Sequence, residues 1–200
     1  MKKGILVIAL ILGTITVFAA PKNSQELKGS GRVITQTKDA KTFNSIEVSN
    51  SINVVMGNST DGRIVIKADD NVMPYVKTRF EGLNLVIKIE SPYKSISNQN
   101  VEVALPYVKS LKNLKVRGAA SFDVTAPIEN YELDIDISGA GKVKLSNVNV
   151  TKMESDLSGA SKLIVSNLSA KECEVDLSGA SKASLSGLDS FKCDADISGA

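Results

Sequence analysis

The sequence predicts an all-β protein: a single-stranded parallel β-helix (a β-solenoid) with 20-residue repeats in its C-terminal half. Three observations carry this. First, the phrase Asp-[Ile/Leu]-Ser-Gly-Ala starts at Asp136, Asp156, Asp176 and Asp196, with nothing inserted or lost between copies. A fixed short period means one small unit stacked on itself. Second, apolar and polar residues alternate within each copy. Leu133, Ile135 and Ile137 alternate with Glu132, Asp134 and Asp136; Met153, Ser155 and Leu157 with Lys152, Glu154 and Asp156; Cys173, Val175 and Leu177 with Glu172, Glu174 and Asp176. A period of two sends one set to a core and the other to water. Third, no stretch carries a helical period over a window long enough to define a helix. An antiparallel sandwich would explain the alternation, but not why equivalent residues match at constant spacing.

Taken in chain order, Lys2-Lys3 precede an uncharged apolar run from Gly4 to Phe18, and Val17, Ala19 and Ala20 supply small residues at its end. This is the pattern of a secretory signal peptide over residues 1–19. Cleavage is expected after Ala19, because a cut after Ala20 would leave Pro21 adjoining it. The run is short of the ~20 apolar residues a spanning helix needs, and no Cys follows it to take a lipid. Residues 20–31 are polar and turn-rich and are expected to form a flexible lead-in.

Residues 32–200 read as one β-helical domain, with irregular rungs over 32–130 and regular repeats over 131–200. In the irregular part, Val- and Ile-rich runs bounded by turn residues predict strands at Ser45–Val48, Ile52–Met56, Arg63–Ala68, Leu83–Ile89, Val101–Leu105 and Leu111–Val116. Residues 58–62 (Asn-Ser-Thr-Asp-Gly) form a turn signal. Asn71–Phe80, interrupted by Pro74, shows no strand pattern. In the regular part, Ser-Gly-Ala breaks the first strand of each repeat. A second strand then points Val143 and Leu145, Leu163 and Val165, and Ala183 and Leu185 inward. Ser146-Asn147, Ser166-Asn167 and Ser186-Gly187 close the turns. One such unit cannot bury its apolar face alone, but stacked units can, each strand pairing with its equivalent ~4.8 Å above. The inner ladders are then Leu133–Met153–Cys173–Cys193 and Ile137–Leu157–Leu177–Ile197.

Composition excludes several function classes. The formal charge is +2, and beyond the leader's two lysines the side chains balance. Residues 21–130 carry 15 basic against 11 acidic groups, and residues 131–200 carry 7 against 11. Neither half has the basic stripe or the aromatic platform that nucleic acid requires. The basic excess of the first half (Lys38, Lys41, Lys109, Lys112, Lys115, Arg117) reads as a solvated face, with attraction to an acidic glycan or lipid surface as its functional alternative.

The tandem Asp-[Ile/Leu]-Ser-Gly-Ala-Ser-Lys phrase resembles the family known as putative auto-transporter adhesin, head GIN domain. So do the upstream segments Phe43–Val48, Ile52–Met56, Leu83–Ile87, Val101–Pro106 and Leu111–Gly118. The likeness runs over about residues 30–200. It implies an exported bacterial β-helical domain at the cell envelope with no established activity. Members of the family usually continue for more repeats and a closing segment. The stop at Ser198-Gly-Ala200 therefore implies a chain truncated at its C-terminus, or a last rung without a cap.

Three sets of residues invite chemistry. Ser138, Ser158, Ser178 and Ser198 each lie in Ser-Gly-Ala. A nucleophile elbow needs Gly-x-Ser-x-Gly and a His partner, and the chain has no His; these serines read as corner residues, and no catalytic residue is assigned. Asp136, Asp156, Asp176 and Asp196 should stack on one outer face, with Asp134, Glu154, Glu174 and Asp194 beside them. Like charges ~4.8 Å apart repel by about 1 kcal/mol in water. Relief is expected from the Lys142, Lys162 and Lys182 row past the corner and from donors in the turn. Ca²⁺ on Asp136, Asp156, Asp176 and Asp196 is the weaker alternative, because the nonapeptide spacing of calcium β-rolls is absent. No cofactor is expected. Cys173 and Cys193 face inward on adjacent rungs; a disulfide and a pair of free core thiols both remain open.

These readings point to a non-enzymatic exported domain, in the periplasm, at the outer-membrane surface or outside the cell. It would present a rigid face for adhesion or scaffolding to an envelope or surface ligand, glycan or protein. The alternatives are a polysaccharide-active lyase or hydrolase and a purely structural spacer. Against the enzyme stand the uniformity of the acidic ladder and the scarcity of sugar-stacking rings: no Trp, five Phe and four Tyr.

Overall fold

The computed structural model describes residues 26–57 and 61–199. The expected signal peptide, the start of the lead-in, and residues 58–60 of the expected turn lie outside the described residues. The irregular half holds β1 (Glu26–Lys28), β2 (Val33–Asp39), β3 (Ser45–Val48), β4 (Asn53–Gly57), β5 (Arg63–Asp69), β6 (Val76–Glu81), β7 (Asn84–Ile89), β8 (Ser95–Ser97), β9 (Val101–Pro106), β10 (Asn113–Gly118) and β11 (Ser121–Val124). The repeats hold β12 (Ile128–Gly139), β13 (Lys142–Leu145), β14 (Val148–Leu157), β15 (Lys162–Ser166), β16 (Leu168–Gly179), β17 (Lys182–Ser186) and β18 (Asp189–Gly199). One short 3₁₀ turn, Met73–Tyr75, accommodates Pro74.

Two eight-stranded sheets face each other. One runs β18-β16-β14-β12-β10-β3-β7-β6 and the other β17-β15-β13-β11-β4-β9-β5-β2. From β18 and β17 down to β7 and β9 every pairing along both sheets is parallel, as in a β-helix. The repeats stack residue for residue. Leu133, Met153, Cys173 and Cys193 align, as do Ile137, Leu157, Leu177 and Ile197. Leu133, Met153, Cys173, Ile137 and Leu157 fill one continuous apolar core, with Leu177 packed against it, that also takes in Phe122, Leu114, Ile46 and Leu85 from the irregular half; Cys193 and Ile197 on β18 are exposed.

The irregular half differs from the expected simple run of rungs in three ways. The β3–β4 rung lies between the β10–β11 rung and the strands β7 and β9, so column order departs from chain order. The far end is antiparallel: β2 pairs with β5, β5 with β9, and β6 with β7. Of these pairs β6 and β7 are joined directly by a tight turn, where Gly82 takes φ of +63°; the other two bring together strands distant in the chain. Finally, Asn71–Phe80 does yield a strand, β6. It begins directly after the Pro74 turn, and beyond the buried Val76 its inner positions Thr78 and Phe80 are half-buried, which weakens the alternation.

Part of the expected flexible lead-in is held in place. β1 pairs in parallel with β8, and Asp69, fully buried, accepts hydrogen bonds from the Gly31 and Asn100 backbone N–H groups, each at 2.9 Å. A buried carboxylate needs such donors, because desolvation without them is costly.

The corners explain the repeated Ser-Gly-Ala. Gly139, Gly159 and Gly179 adopt φ of +89°, +79° and +73°. A Cβ on Gly159 would stand 2.5 Å from the Gly139 carbonyl oxygen of the rung below. Only glycine allows rungs to stack at that corner.

Candidate functional site

Outside the column, the strands β12, β14, β16 and β18 display three vertical rows. In the first, Glu132, Lys152, Glu172 and Lys192 align, so charge alternates from rung to rung. Lys112 extends it downward, its Nζ 3.3 Å from Glu132. The second row, Asp134–Glu154–Glu174–Asp194, is wholly acidic, as is the third, Asp136–Asp156–Asp176–Asp196. The expected carboxylate ladder is therefore present in the expected register.

Its relief differs from expectation. Among the described residues, Lys142, Lys162 and Lys182 form no ion pair with the aspartates; they lie across the corner on the opposite sheet. The second row is relieved at two of its four positions from the first: Lys152 donates to Glu154, and Lys192 lies 2.5 Å from Asp194. Among the described residues the third row makes no ion pair, although Lys115 stands in register beneath Asp136. Burial, followed by the charges of Asp176, Asp136 and Glu154, holds the Asp156 carboxyl above the ordinary carboxylate range. Asp134 is raised too, by burial and by Glu132 and Glu154, against a partial offset from Lys112 and Lys152.

The third row and the hydroxyls of Ser158, Ser178 and Ser198 line a shallow groove of about 340 Å³. Ser178 Oγ donates to the Leu157 carbonyl at 3.3 Å and Ser198 Oγ to that of Leu177 at 3.4 Å. These hydroxyls tie rung to rung, as corner residues should. Among the described residues, the carboxylates that converge closely enough to share a cation are Glu132, Asp134 and Glu154, with one oxygen of each within 4.8 Å of the others. Lys152 already engages Glu154 there. Asp136, Asp156, Asp176 and Asp196 form a row that repeats at the strand spacing, not a converging set.

The opposite sheet carries a complementary feature. Lys142, Lys162 and Lys182 stack in register on β13, β15 and β17, all exposed. Among the described residues none of the three has a carboxylate partner, whereas Lys144 beside them lies 3.8 Å from Asp123. The repeat region thus has one acidic face and one basic row on different sides of the same column. The 20-residue spacing displays both rows. It also displays the alternation Glu132–Lys152–Glu172–Lys192 once equivalent positions are read vertically; reading along each strand hides that alternation. Asp69 carried no sequence signal, because its partners are backbone groups distant in the chain.

Cys173 is buried and Cys193 exposed; both are free thiols facing each other across adjacent strands. Burial, with the Cys193 side chain hydrogen-bonded beside it, pushes the Cys173 thiol up to about 12. No helix among the described residues is long and apolar enough to cross a membrane.

Solved structures share this architecture. A protein from Parabacteroides distasonis described as a putative lipid binding protein superposes with a TM-score of 0.70 at 20% identity, over 80% of this chain and 68% of that one. A putative adhesin from Parabacteroides merdae gives 0.58 at 19% identity, over 88% and 82% of the two chains. A putative adhesin from Bacteroides fragilis gives 0.56 at 17%, over 87% and 100%. At these identities the likeness is one of fold. No curated protein matches the chain. The family model described as putative auto-transporter adhesin, head GIN domain, matches residues 42–200, and the chain belongs to that family.

Proposed function

We propose that this protein is a non-enzymatic, exported envelope domain that presents a rigid charged column for adhesion or scaffolding. The observation that carries the reading is the pair of single-sign charge rows without ion pairs among the described residues, Asp136–Asp156–Asp176–Asp196 and Lys142–Lys162–Lys182, held in register on separate sides of one stack. Elsewhere the same repeats alternate charge along the column, at Glu132–Lys152–Glu172–Lys192, so like-charge stacking is no necessity of the fold. Rows of one sign that cost stability serve recognition by presenting an extended field to a partner of opposite charge.

Repetition argues for binding over catalysis. A reaction needs positions whose environments differ, and each acid of the third row has an equivalent one rung away. Family membership supports the same reading, as do the neighbours described as adhesins. The neighbour described as lipid binding makes an anionic headgroup surface one ligand class for the lysine row.

The test uses intact cells of the producing species. Protease shaving should release peptides of this chain. The purified protein should rebind shaved cells, and Lys142→Glu, Lys162→Glu and Lys182→Glu together should abolish rebinding while leaving the melting curve cooperative. Retention of the chain in the cytosolic fraction, or undiminished rebinding by the triple variant, would overturn the reading.

A further inference from the structure

The inner ladder Leu133–Met153–Cys173–Cys193 changes character as it rises. Leu133 and Met153 are fully buried and Cys173 is 3% exposed, but Cys193 is open to solvent. The neighbouring ladder behaves likewise: Leu157 is 2% exposed and Ile197 70%. In the described structure, β18 pairs with β16 alone and buries little of its apolar side. Where burial falls off along the ladder, the two cysteines of the chain stand directly opposite each other on paired strands.

We propose that Cys173 and Cys193 form an interstrand disulfide that fastens the β17–β18 rung to the rung beneath it. Paired strands lie ~4.8 Å apart, inside the Cα separation of about 4.4–6.8 Å that disulfides span. The cross-link closes a loop of one whole repeat. It removes conformations from the unfolded chain.

The order of steps follows from accessibility. The exposed Cys193 thiolate attacks an external disulfide, such as oxidised glutathione. The glutathione S–S bond breaks, one glutathione leaves as a thiol, and Cys193 carries the other as a mixed disulfide. Cys173 then gives up its proton to solvent and attacks Cys193 Sγ, and the second glutathione leaves. Two protein thiols are oxidised, and one glutathione disulfide is reduced to two thiols. Cys173, buried and held well above the ordinary thiol range at about 12, is suited to the second, intramolecular role and not to the first. Ring closure should accordingly quicken as pH rises above neutrality.

The bond-forming geometry stands without the export reading, but its use in the cell rests on an oxidising compartment and so on that reading. Two arms separate them. In the first, purified reduced protein is incubated with oxidised glutathione and digested without reductant. The expected product is a peptide pair joined through Cys173 and Cys193, two hydrogens lighter than the reduced pair, with neither thiol open to maleimide after denaturation. The oxidised form should melt about 5–10 °C above the reduced form, and a Cys193→Ser variant should show no such difference. A Cys193–glutathione adduct that persists, or two thiols that remain labelled, would overturn the proposal. In the second arm the chain is trapped with maleimide directly from cells. A linked pair there supports both readings; a reduced pair there, alongside bond formation in the first arm, would contradict export and leave the geometry intact.

Discussion

Lys115 stands in register with Asp136 across the boundary between the irregular half and the repeats. The acidic row that continues through Asp156, Asp176 and Asp196 is thus met by a cation at its lower end, and below Lys115 the next position is Glu47. Along this line, charge alternates in the irregular half and becomes uniform where the repeats begin. The uniform segment carries unrelieved repulsion, and it yields the first prediction.

Asp156→Asn should stabilise the protein at neutral pH. The folded-state pKa of Asp156 is raised, so the folded chain holds that proton more tightly than the unfolded chain. Stability from this group is present below its unfolded pKa and is lost as pH rises through its folded pKa. Solvent screening keeps the effect small, a rise in Tm of about 1–2 °C at pH 7. The gain should fade as pH falls toward the ordinary Asp range, and should shrink in high salt. Scanning calorimetry across pH checks it; an equal gain at every pH would show that charge is not the cause.

Burial along one ladder predicts unequal costs for one kind of change. Leu157→Ala empties a site that is 2% exposed and should cost about 2–5 kcal/mol, whereas Ile197→Ala, at 70% exposure, should cost well under about 1 kcal/mol. Urea unfolding of the two variants compares them. Similar costs would mean that the two positions do not belong to one graded column.

Gly159→Ala should be severe although the side chain it adds is the smallest. The residue sits at φ +79°, and its new Cβ would lie 2.5 Å from the Gly139 carbonyl oxygen. Left-handed backbone strain adds about 1–2 kcal/mol, and the clash with backbone adds to that. Chemical denaturation should show a loss of at least about 2 kcal/mol; a near-neutral result would mean that the corner contact does not constrain the stack.

Asp69→Ala should release the strap formed by β1 and β8. Losing one acceptor leaves the Gly31 and Asn100 N–H groups unpaired, at a cost of about 1–3 kcal/mol. Limited proteolysis should then cut within residues 26–31 or 95–100 before the repeats are touched. Unchanged cleavage would show that the strap is held by other contacts.

How far the structure is legible from sequence depends on repetition. Over residues 131–199, position-equivalent residues repeat without gaps, so Met153 over Leu133 and Asp176 over Asp156 follow from spacing alone. Over residues 32–130 no period exists, and the rung built from β3 and β4 is inserted between rungs much later in the chain. Local alternation marks such strands but says nothing of their neighbours. β6 leaves no strand signature because Pro74 adjoins it and its burial is partial. The charged rows are visible as rows; which lysines relieve which acids is not. That depends on whether a side chain lies beside a carboxylate on the same sheet, as Lys152 does for Glu154, or across a corner, as Lys162 does.

Vertical register underlies every row and ladder of the column, and paired nitroxides read it most directly. Asp156→Cys and Asp176→Cys, introduced together in a Cys173→Ala, Cys193→Ser background and spin-labelled, should lie on adjacent strands ~4.8 Å apart. The room-temperature spectrum should then show strong spin–spin broadening that vanishes when either label is removed. A double-labelled spectrum equal to the sum of the two single ones would place Asp156 and Asp176 far apart and contradict the stacked column.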